Sequence, residues 1–370
     1  MVMLQSNKRI DEISFMNSRR FILDAHKLQY HPEAVASFLG GKDVIPIYAE
    51  ISPVAFCNHR CIFCNFNYLG HNGKFVRGRM ISLVEELAEA GVKSVVFAGS
   101  GEPTIHPDTI LAIERAKMVG LDVAMSTNGL LLHDDAIEIM VKSLTWIRFS
   151  FSGGSPGNYA KIHNTKESDY HLVLNNIKKL KTIKDKTHSK LTIGTQFMLL
   201  PENKDYVISQ AVVMKECGVD YFVVKHFYES ETNEYRPDIS SLTPEFMASL
   251  KAKADEISDT KFSFIVRDKA KLDRKRRYTQ CYGLPFIVYF KESGEVYTCF
   301  FHQHDKNTSL GSIISQSFMD LWKSEGKKRS INYINEKFDK NRCQANCRHH
   351  QINNYLWDLK HNQPEHINFI

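Results

Sequence analysis

An α/β fold, a partial (β/α)6 barrel of the TIM type followed by a small C-terminal β-hairpin with a helix, is what this sequence predicts. Three observations lead there. Six short apolar runs recur from about residue 46 onward. Amphipathic stretches with helical spacing separate them, and glycine-rich polar loops follow several of the runs. Alternating strand and helix units imply a parallel sheet with its crossovers on one hand.

Taken in order, residues 47–52 read as the first strand and 94–98 as the second, with 123–126, 147–151, 192–199 and 221–225 continuing the series. Runs this short and apolar suit parallel strands covered on both faces. Leu83, Val84, Leu87 and Ala88 make one helical stripe, and Val173, Ile177 and Leu180 make another. A third stripe, Val207, Ala211 and Met214, ends at Cys217-Gly218, a helix stop that leaves Cys217 as a core cysteine.

The chain has 370 residues, 43% of them hydrophobic and 24% charged, which is the balance of an ordinary globular protein with ample core. No apolar run reaches the length of a membrane helix, and the first 12 residues lack a signal-peptide core, so a cytoplasmic location is expected. In that compartment eight cysteines point to metal ligation rather than disulfides. The net charge of +6 fits an anionic substrate or cofactor without requiring nucleic acid. A basic run at 267–277, with Lys269, Lys271, Arg274, Lys275, Arg276 and Arg277, reads as a solvated face, with a phosphate or nucleic-acid contact as the alternative.

Directly after the first strand comes Cys57-Asn58-His59-Arg60-Cys61-Ile62-Phe63-Cys64. Its spacing would put three cysteines on one helix face, but Asn58, Asn65, Asn67, Gly70 and Gly73 make the segment a loop. Three thiolates can hold three irons of a 4Fe–4S cluster and leave the fourth iron open. A zinc site of three cysteines with His59 is the alternative.

In parallel α/β folds chemistry gathers where strands end. The second strand ends in Gly99-Ser100-Gly101-Glu102-Pro103, whose glycines admit close backbone approach and whose Glu102 offers a carboxylate to an ammonium. The third ends in Ser126-Thr127-Asn128-Gly129 and the fourth in Ser150-Phe151-Ser152-Gly153-Gly154, hydroxyls and amides that suit a ribose and a carboxylate. Later strands place Gln196, Lys225 and His226 toward a substrate, Lys225 and His226 being candidate bases.

A second set of cysteines, Cys281, Cys299, Cys343 and Cys347, closes the chain. Residues 286–290 and 296–298 flank Lys291-Glu292-Ser293-Gly294-Glu295, a hairpin that brings Cys281 toward Cys299. Four converging thiolates suit structural zinc or a fully ligated 4Fe–4S cluster, with His302 or His349 as alternative ligands.

The Cx3Cx2C run with Phe63 before its last cysteine resembles the signature of the radical S-adenosylmethionine (SAM) superfamily. The resemblance implies that Cys57, Cys61 and Cys64 bind a cluster whose open iron chelates the amino and carboxylate groups of SAM, with Phe63 near the adenine or the cluster. Gly99, Gly101 and Glu102 are similar to that family's Gly-Gly-Glu-Pro motif for the SAM amino group, with Ser100 in place of the usual middle residue. Ser126, Asn128 and Ser152 are implied on the SAM side. The C-terminal cysteines resemble the SPASM and twitch extensions, and four of them suit the shorter form with one auxiliary 4Fe–4S cluster.

The activity so implied is a 5′-deoxyadenosyl radical abstracting hydrogen from a small polar substrate, such as a sugar or sugar nucleotide. The auxiliary cluster would accept or relay an electron in a dehydrogenation or epimerisation, with flavodoxin or ferredoxin as electron donor. A peptide-modifying maturase is the second reading, and a structural zinc protein that binds nucleic acid is the reading from another class. The expected organisation is a helical cap over 1–45, with helices near 13–28 and 32–39, the barrel over 46–235, a helical linker over 236–280, and the cluster-binding domain over 281–370.

Overall fold

The computed structural model describes residues 21, 26–67, 72–229, 232–267, 276–344 and 347–369. Strand and helix alternate as β1 (Tyr48–Ile51), α2 (Arg79–Ala90), β2 (Ser94–Phe97), α3 (Thr109–Met118), β3 (Asp122–Thr127), α4 (Asp134–Ser143) and β4 (Trp146–Ser150), after a first helix α1 (Pro32–Leu39). Two helices, α5 (Pro156–His163) and α6 (Glu167–Lys186), lead to β5 (Thr192–Leu199), α7 (Val207–Glu216) and β6 (Tyr221–His226). Then come α8 (Pro244–Ile257), β7 (Ser263–Val266), β8 (Ile287–Phe290), β9 (Glu295–Tyr297) and β10 (Ser309–Ser312), and the helices α9 (Phe318–Trp322), α10 (Glu325–Asn332) and α11 (His349–His361).

All ten strands form one sheet in the order β10-β9-β8-β1-β2-β3-β4-β5-β6-β7. The six predicted strands are all present and pair in parallel. Two features differ from expectation. The stretch expected to be a helical linker contributes a seventh parallel strand, β7, paired with β6. Its apolar run Phe264-Ile265-Val266 carries the signal. The C-terminal hairpin also continues the barrel sheet: β8 pairs in parallel with β1, Tyr48 opposite Ile287, and among the described strands only the β8–β9 and β9–β10 pairings are antiparallel.

Side-chain alternation divides the sheet. Outward residues Val95, Phe97, Val123, Met125, Ile147, Phe149, Ile193 and Phe197 are fully buried in one core under the helices. Burial of each is worth about 1.5–3 kcal/mol. Inward residues of the same strands are small or polar, including Ser126, Arg148, Ser150, Gln196 and Lys225, and they line a cavity. Cys217 packs in the outer core, as predicted.

Of the segment expected to cap the barrel, only residue 21 and residues 26–45 are described. Leu28, Val35 and Val44 form a second core with Phe286, Tyr289, Tyr297, Ile352 and Leu356 of the C-terminal region. The indole of Trp322 donates to the Val44 carbonyl at 3.0 Å, which fixes that junction. The expected helix at 32–39 is α1. The one at 13–28 lies almost wholly outside the described residues, as do Lys269, Lys271, Arg274 and Lys275 of the basic run. Arg276 and Arg277 of that run are structural: they donate to the Gln344 carbonyl and to Asp358. Among the described residues no helix is long and apolar enough to cross a membrane.

Candidate active site

A cavity of about 300 Å³ opens among the strand ends, bounded by the cysteine loop, the loops after β2 and β3, and the C-terminal region. Cys57, Cys61 and Cys64 line it together with Phe63, Gly99, Gly101, Glu102, Ser126, Asn128, Gln196 and Lys225. Most of the sequence-predicted site is thus gathered on one wall.

The cysteine loop is held in place by its backbone. Arg60 N–H donates to the His163 carbonyl and Ile62 N–H to the Ile162 carbonyl, both at 3.0 Å, so the end of α5 grips the loop on both sides of Cys61. Each sulfur faces donors. His59 N–H lies 3.4 Å and Asn128 Nδ2 3.8 Å from Cys57 Sγ. His163 Nδ1 is 3.1 Å from Cys61 Sγ, and the backbone amides of Phe66 and Asn67 face Cys64. Burial raises all three thiol pKa values, Cys57 to about 11, and a metal would displace those protons.

Backbone geometry makes the loop after β2 a close-approach site. Gly99 has φ +112°, and a Cβ there would meet Ser52 Cβ at 2.4 Å. At Gly101 a Cβ would meet the Phe56 carbonyl oxygen at 2.2 Å, so the loop lies flat against the segment that leads from β1 into the cysteine loop. Ser100 turns its hydroxyl to Glu292.

Glu102 is buried and largely committed. Its Oε1 accepts from the Thr104 amide (3.1 Å), the Thr104 hydroxyl (2.7 Å) and the Thr127 hydroxyl (2.6 Å), and its Oε2 from the Asn128 amide (2.7 Å). Burial raises its pKa and these four donors oppose the rise. Glu102 therefore stitches the ends of β2 and β3 together, and only Oε2 keeps room for one further donor.

Two predicted residues lie elsewhere. Ser152 is buried behind the wall: its hydroxyl accepts from the Met198 amide at 3.0 Å and its carbonyl from Asn203, so it closes the β4–β5 junction and does not line the cavity. His226 follows the strand pleat to the side opposite Lys225, opposite Leu199 in register, and does not line the cavity. It is excluded as a base on that ground.

The structure adds residues that the sequence did not single out. Arg148 on β4 donates to the Ser126 hydroxyl at 2.9 Å, and its Nε is buried without a hydrogen-bond partner. Arg348 reaches back to Glu50 and to the Tyr48 hydroxyl. Lys225 Nζ stands 5.4 Å from the Tyr228 ring centre. Burial, and then Arg267, Arg148 and Arg348, push its pKa down to about 7 against the pull of Glu50.

Cys281, Cys299, Cys343 and Cys347 do not line the cavity themselves, but their neighbours Phe300, Gln344 and Arg348 do, and the four converge closely enough to raise one another's pKa values, after burial, which is the larger cause. Asn353 Nδ2 donates to Cys281 Sγ at 3.2 Å. His302 is buried with its ring 4.4 Å from that of Phe338, and His349 Nδ1 lies 4.0 Å from Cys347 Sγ.

Both donor sets suit iron–sulfur clusters better than zinc. Among the described residues, only His59, Cys61 and His163 form a group of three whose ligand atoms all lie within 4.8 Å of one another. Thiolates on a tetrahedral zinc, about 2.3 Å from the metal, would be closer together than either cysteine set is. With Cys217 in the core, the other seven of the eight cysteines divide into an open set of three and a closed set of four.

Comparison with known proteins agrees. The family model for the radical SAM superfamily matches residues 51–209, and that for SPASM, an iron–sulfur cluster-binding domain, matches residues 281–349. The probable GTP 3′,8-cyclase of Methanocaldococcus jannaschii is 31% identical over 135 residues, 35% of this chain and 44% of that protein. The S-adenosylmethionine-dependent nucleotide dehydratase of Flammeovirga pacifica is 32% identical over 100 residues, 25% of this chain and 34% of that protein. The chain therefore matches less than half the length of either relative. Streptococcus suis SuiB bound to S-adenosylmethionine shares the fold, with a TM-score of 0.62 at 15% identity over 89% of this chain and 80% of that one. Native anSMEcpe with bound AdoMet gives 0.57 at 17% identity over 82% and 90%. The chain belongs to the radical SAM superfamily, an enzyme with a SAM-binding 4Fe–4S cluster and a C-terminal SPASM domain for auxiliary cluster binding.

Proposed function

We propose that the enzyme abstracts hydrogen from a small acidic substrate of the nucleotide or sugar-nucleotide class and carries it through a dehydrogenation or epimerisation. The clusters and SAM, when bound, supply the hydrogen-abstracting 5′-deoxyadenosyl radical and an acceptor for the electron the substrate gives up. Cys57, Cys61 and Cys64 would hold the first cluster, and Cys281, Cys299, Cys343 and Cys347 the auxiliary one.

One observation carries the substrate class: the cavity has uncompensated positive charge. Its lining includes Arg148, Lys225 and Arg348 against two carboxylates, Glu50 and Glu102. Glu50 is paired with Arg348, and Glu102 already accepts four hydrogen bonds. Anionic groups are the complement of such a wall. Arg148 with Ser126 suits the SAM carboxylate, and with Arg348 held by Glu50 this leaves Lys225 for an acidic group of the substrate. The relatives named GTP 3′,8-cyclase and nucleotide dehydratase support the same class.

Lys225 is the proposed base. With a pKa near 7 its amine is half neutral at neutral pH, the condition for taking a proton from a hydroxyl. Gln196 and Asn128 offer hydrogen bonds to sugar or base edges from neighbouring strand ends.

The test is calorimetric titration of the SAM-loaded holoenzyme with GTP, CTP, UDP-glucose and guanosine. The phosphorylated ligands should bind with salt-dependent affinity, and Lys225→Met should weaken them about tenfold or more. Guanosine binding as tightly as GTP would contradict the acidic class. Tight binding of basic peptides in place of nucleotides would favour the maturase reading.

A further inference from the structure

His163 has no place in the reading above, yet it is fully buried against a cluster ligand. We propose that His163 donates a hydrogen bond to the Cys61 thiolate, is locked in that role by the Ser152 backbone amide, and thereby sets the reduction potential of the SAM-binding cluster. The inference is independent of the substrate and rests only on Cys61 being a cluster ligand.

Two contacts fix the ring. Ser152 N–H donates to His163 Nε2 at 2.9 Å, so Nε2 must present its lone pair. A ring protonated at Nε2 would set two N–H groups against each other in a buried site, which is costly. The single ring proton therefore sits on Nδ1, the atom 3.1 Å from Cys61 Sγ. The same tautomer excludes His163 as a metal ligand, because Nδ1 has no lone pair to give. This decides the character of the His59, Cys61 and His163 grouping, whose ligand atoms are close enough to suggest a metal.

The fold enforces the contact. Arg60 N–H and Ile62 N–H bond to the carbonyls of His163 and Ile162, so the residues flanking Cys61 and the ring facing it move as one piece. The ring is packed by Tyr159, with centres 4.4 Å apart, and by Phe63 at 6.0 Å. Ser152 takes its part here: it holds the histidine that faces the cluster ligand.

An N–H donor aimed at a ligand sulfur stabilises negative charge there, and a reduced cluster carries more of it than an oxidised one. Removing the donor should make reduction harder. The effect should be confined to the first cluster, since the donor to Cys281 is Asn353.

The experiment compares holoenzyme carrying His163→Leu or His163→Asn with wild type in an EPR-monitored redox titration, using the signal that responds to SAM. Asn places an amide N–H near the former Nδ1. With iron and sulfide content unchanged, the Leu variant should shift the reduction equilibrium at least tenfold against the reduced form, about 59 mV for a one-electron couple. The Asn variant should recover most of the shift, and the auxiliary signal should not move. An unchanged midpoint in the Leu variant, equal shifts in both variants, or loss of the first cluster's iron from both would overturn the proposal. A second measurement needs no variant: electron–nuclear double resonance of 15N-histidine-labelled wild type should show a histidine nitrogen and an exchangeable proton coupled to the SAM-responsive cluster. Absence of both couplings would overturn it as well.

Discussion

The Ser100 hydroxyl donates to the Glu292 carboxylate at 3.1 Å, joining the loop after β2 to the hairpin turn between β8 and β9 across 192 residues. The Ser52 hydroxyl lies 3.1 Å from that of Ser100 and 3.4 Å from Glu292, within reach of either with its one proton, so the three form one buried knot. It binds the loop proposed for the SAM amino group to the start of the SPASM domain. Ser100, the residue that departs from the family's motif, is what makes the joint.

Ser100→Ala should therefore destabilise the fold by about 1.5–3 kcal/mol, the range for a hydrogen bond to a charged group, as read by urea unfolding. In a double-mutant cycle with Glu292→Gln, a coupling of about 0.5 kcal/mol or more is expected. Strict additivity would show that the knot does not couple the two regions.

Gly101→Ala should also destabilise, for a steric reason. The new Cβ meets main-chain oxygens of Phe56 and Val54 at 2.2 and 2.6 Å, which no rotamer change can relieve. A loss of about 1–3 kcal/mol, with weakened SAM binding in equilibrium dialysis, is expected. A variant as stable and as tight as wild type would refute the close-approach role of this loop.

Glu102→Gln keeps one carbonyl oxygen but sets an amide NH2 against either the Asn128 N–H or the donors of Thr104 and Thr127. One buried donor then lacks an acceptor, at about 1–3 kcal/mol. The prediction is lower stability together with roughly tenfold or greater loss of SAM affinity, a split measurable by unfolding and by calorimetry.

Lys225 gives a pH signature. Its pKa falls from 10.5 in the unfolded chain to about 7 in the fold. Between those values the unfolded state holds a proton that the folded state has released, so stability rises with pH across the window and falls as pH drops through 7. The groups facing it are Arg148 from β4, Arg267 after β7, Arg348 before α11 and Glu50 from β1. Lys225→Met should flatten that part of the stability profile and remove the rise of kcat through pH 7. An unaltered profile in the variant would move the base elsewhere.

Much of this was legible in the sequence because its signals are local. Strand runs, helix stripes and the Cx3Cx2C loop each fit within a few residues, and six strands and the cysteine sets follow from them. What the sequence hid is what the fold assembles from afar. Arg348 meets Glu50 across 298 residues, and His163 meets Cys61 across 102. Arg148 left a readable trace, since a charge amid Trp146, Ile147 and Phe149 has no place in a strand buried on both faces. His226 leaves the cavity because adjacent strand residues point to opposite faces, whereas Ser152 lies two residues past the end of β4, where its hydroxyl and carbonyl are taken by Met198 and Asn203. The seventh strand was overlooked because its apolar run is short and follows a polar turn.

The central claim is radical SAM chemistry at Cys57, Cys61 and Cys64, and formation of 5′-deoxyadenosine tests it most directly. Anaerobically reconstituted protein with about eight irons per chain should release 5′-deoxyadenosine from SAM under dithionite. Cys57→Ala should abolish that release while the protein keeps the iron of its C-terminal site. Undiminished release from Cys57→Ala, or a protein that binds zinc without labile sulfide and leaves SAM intact, would contradict the account.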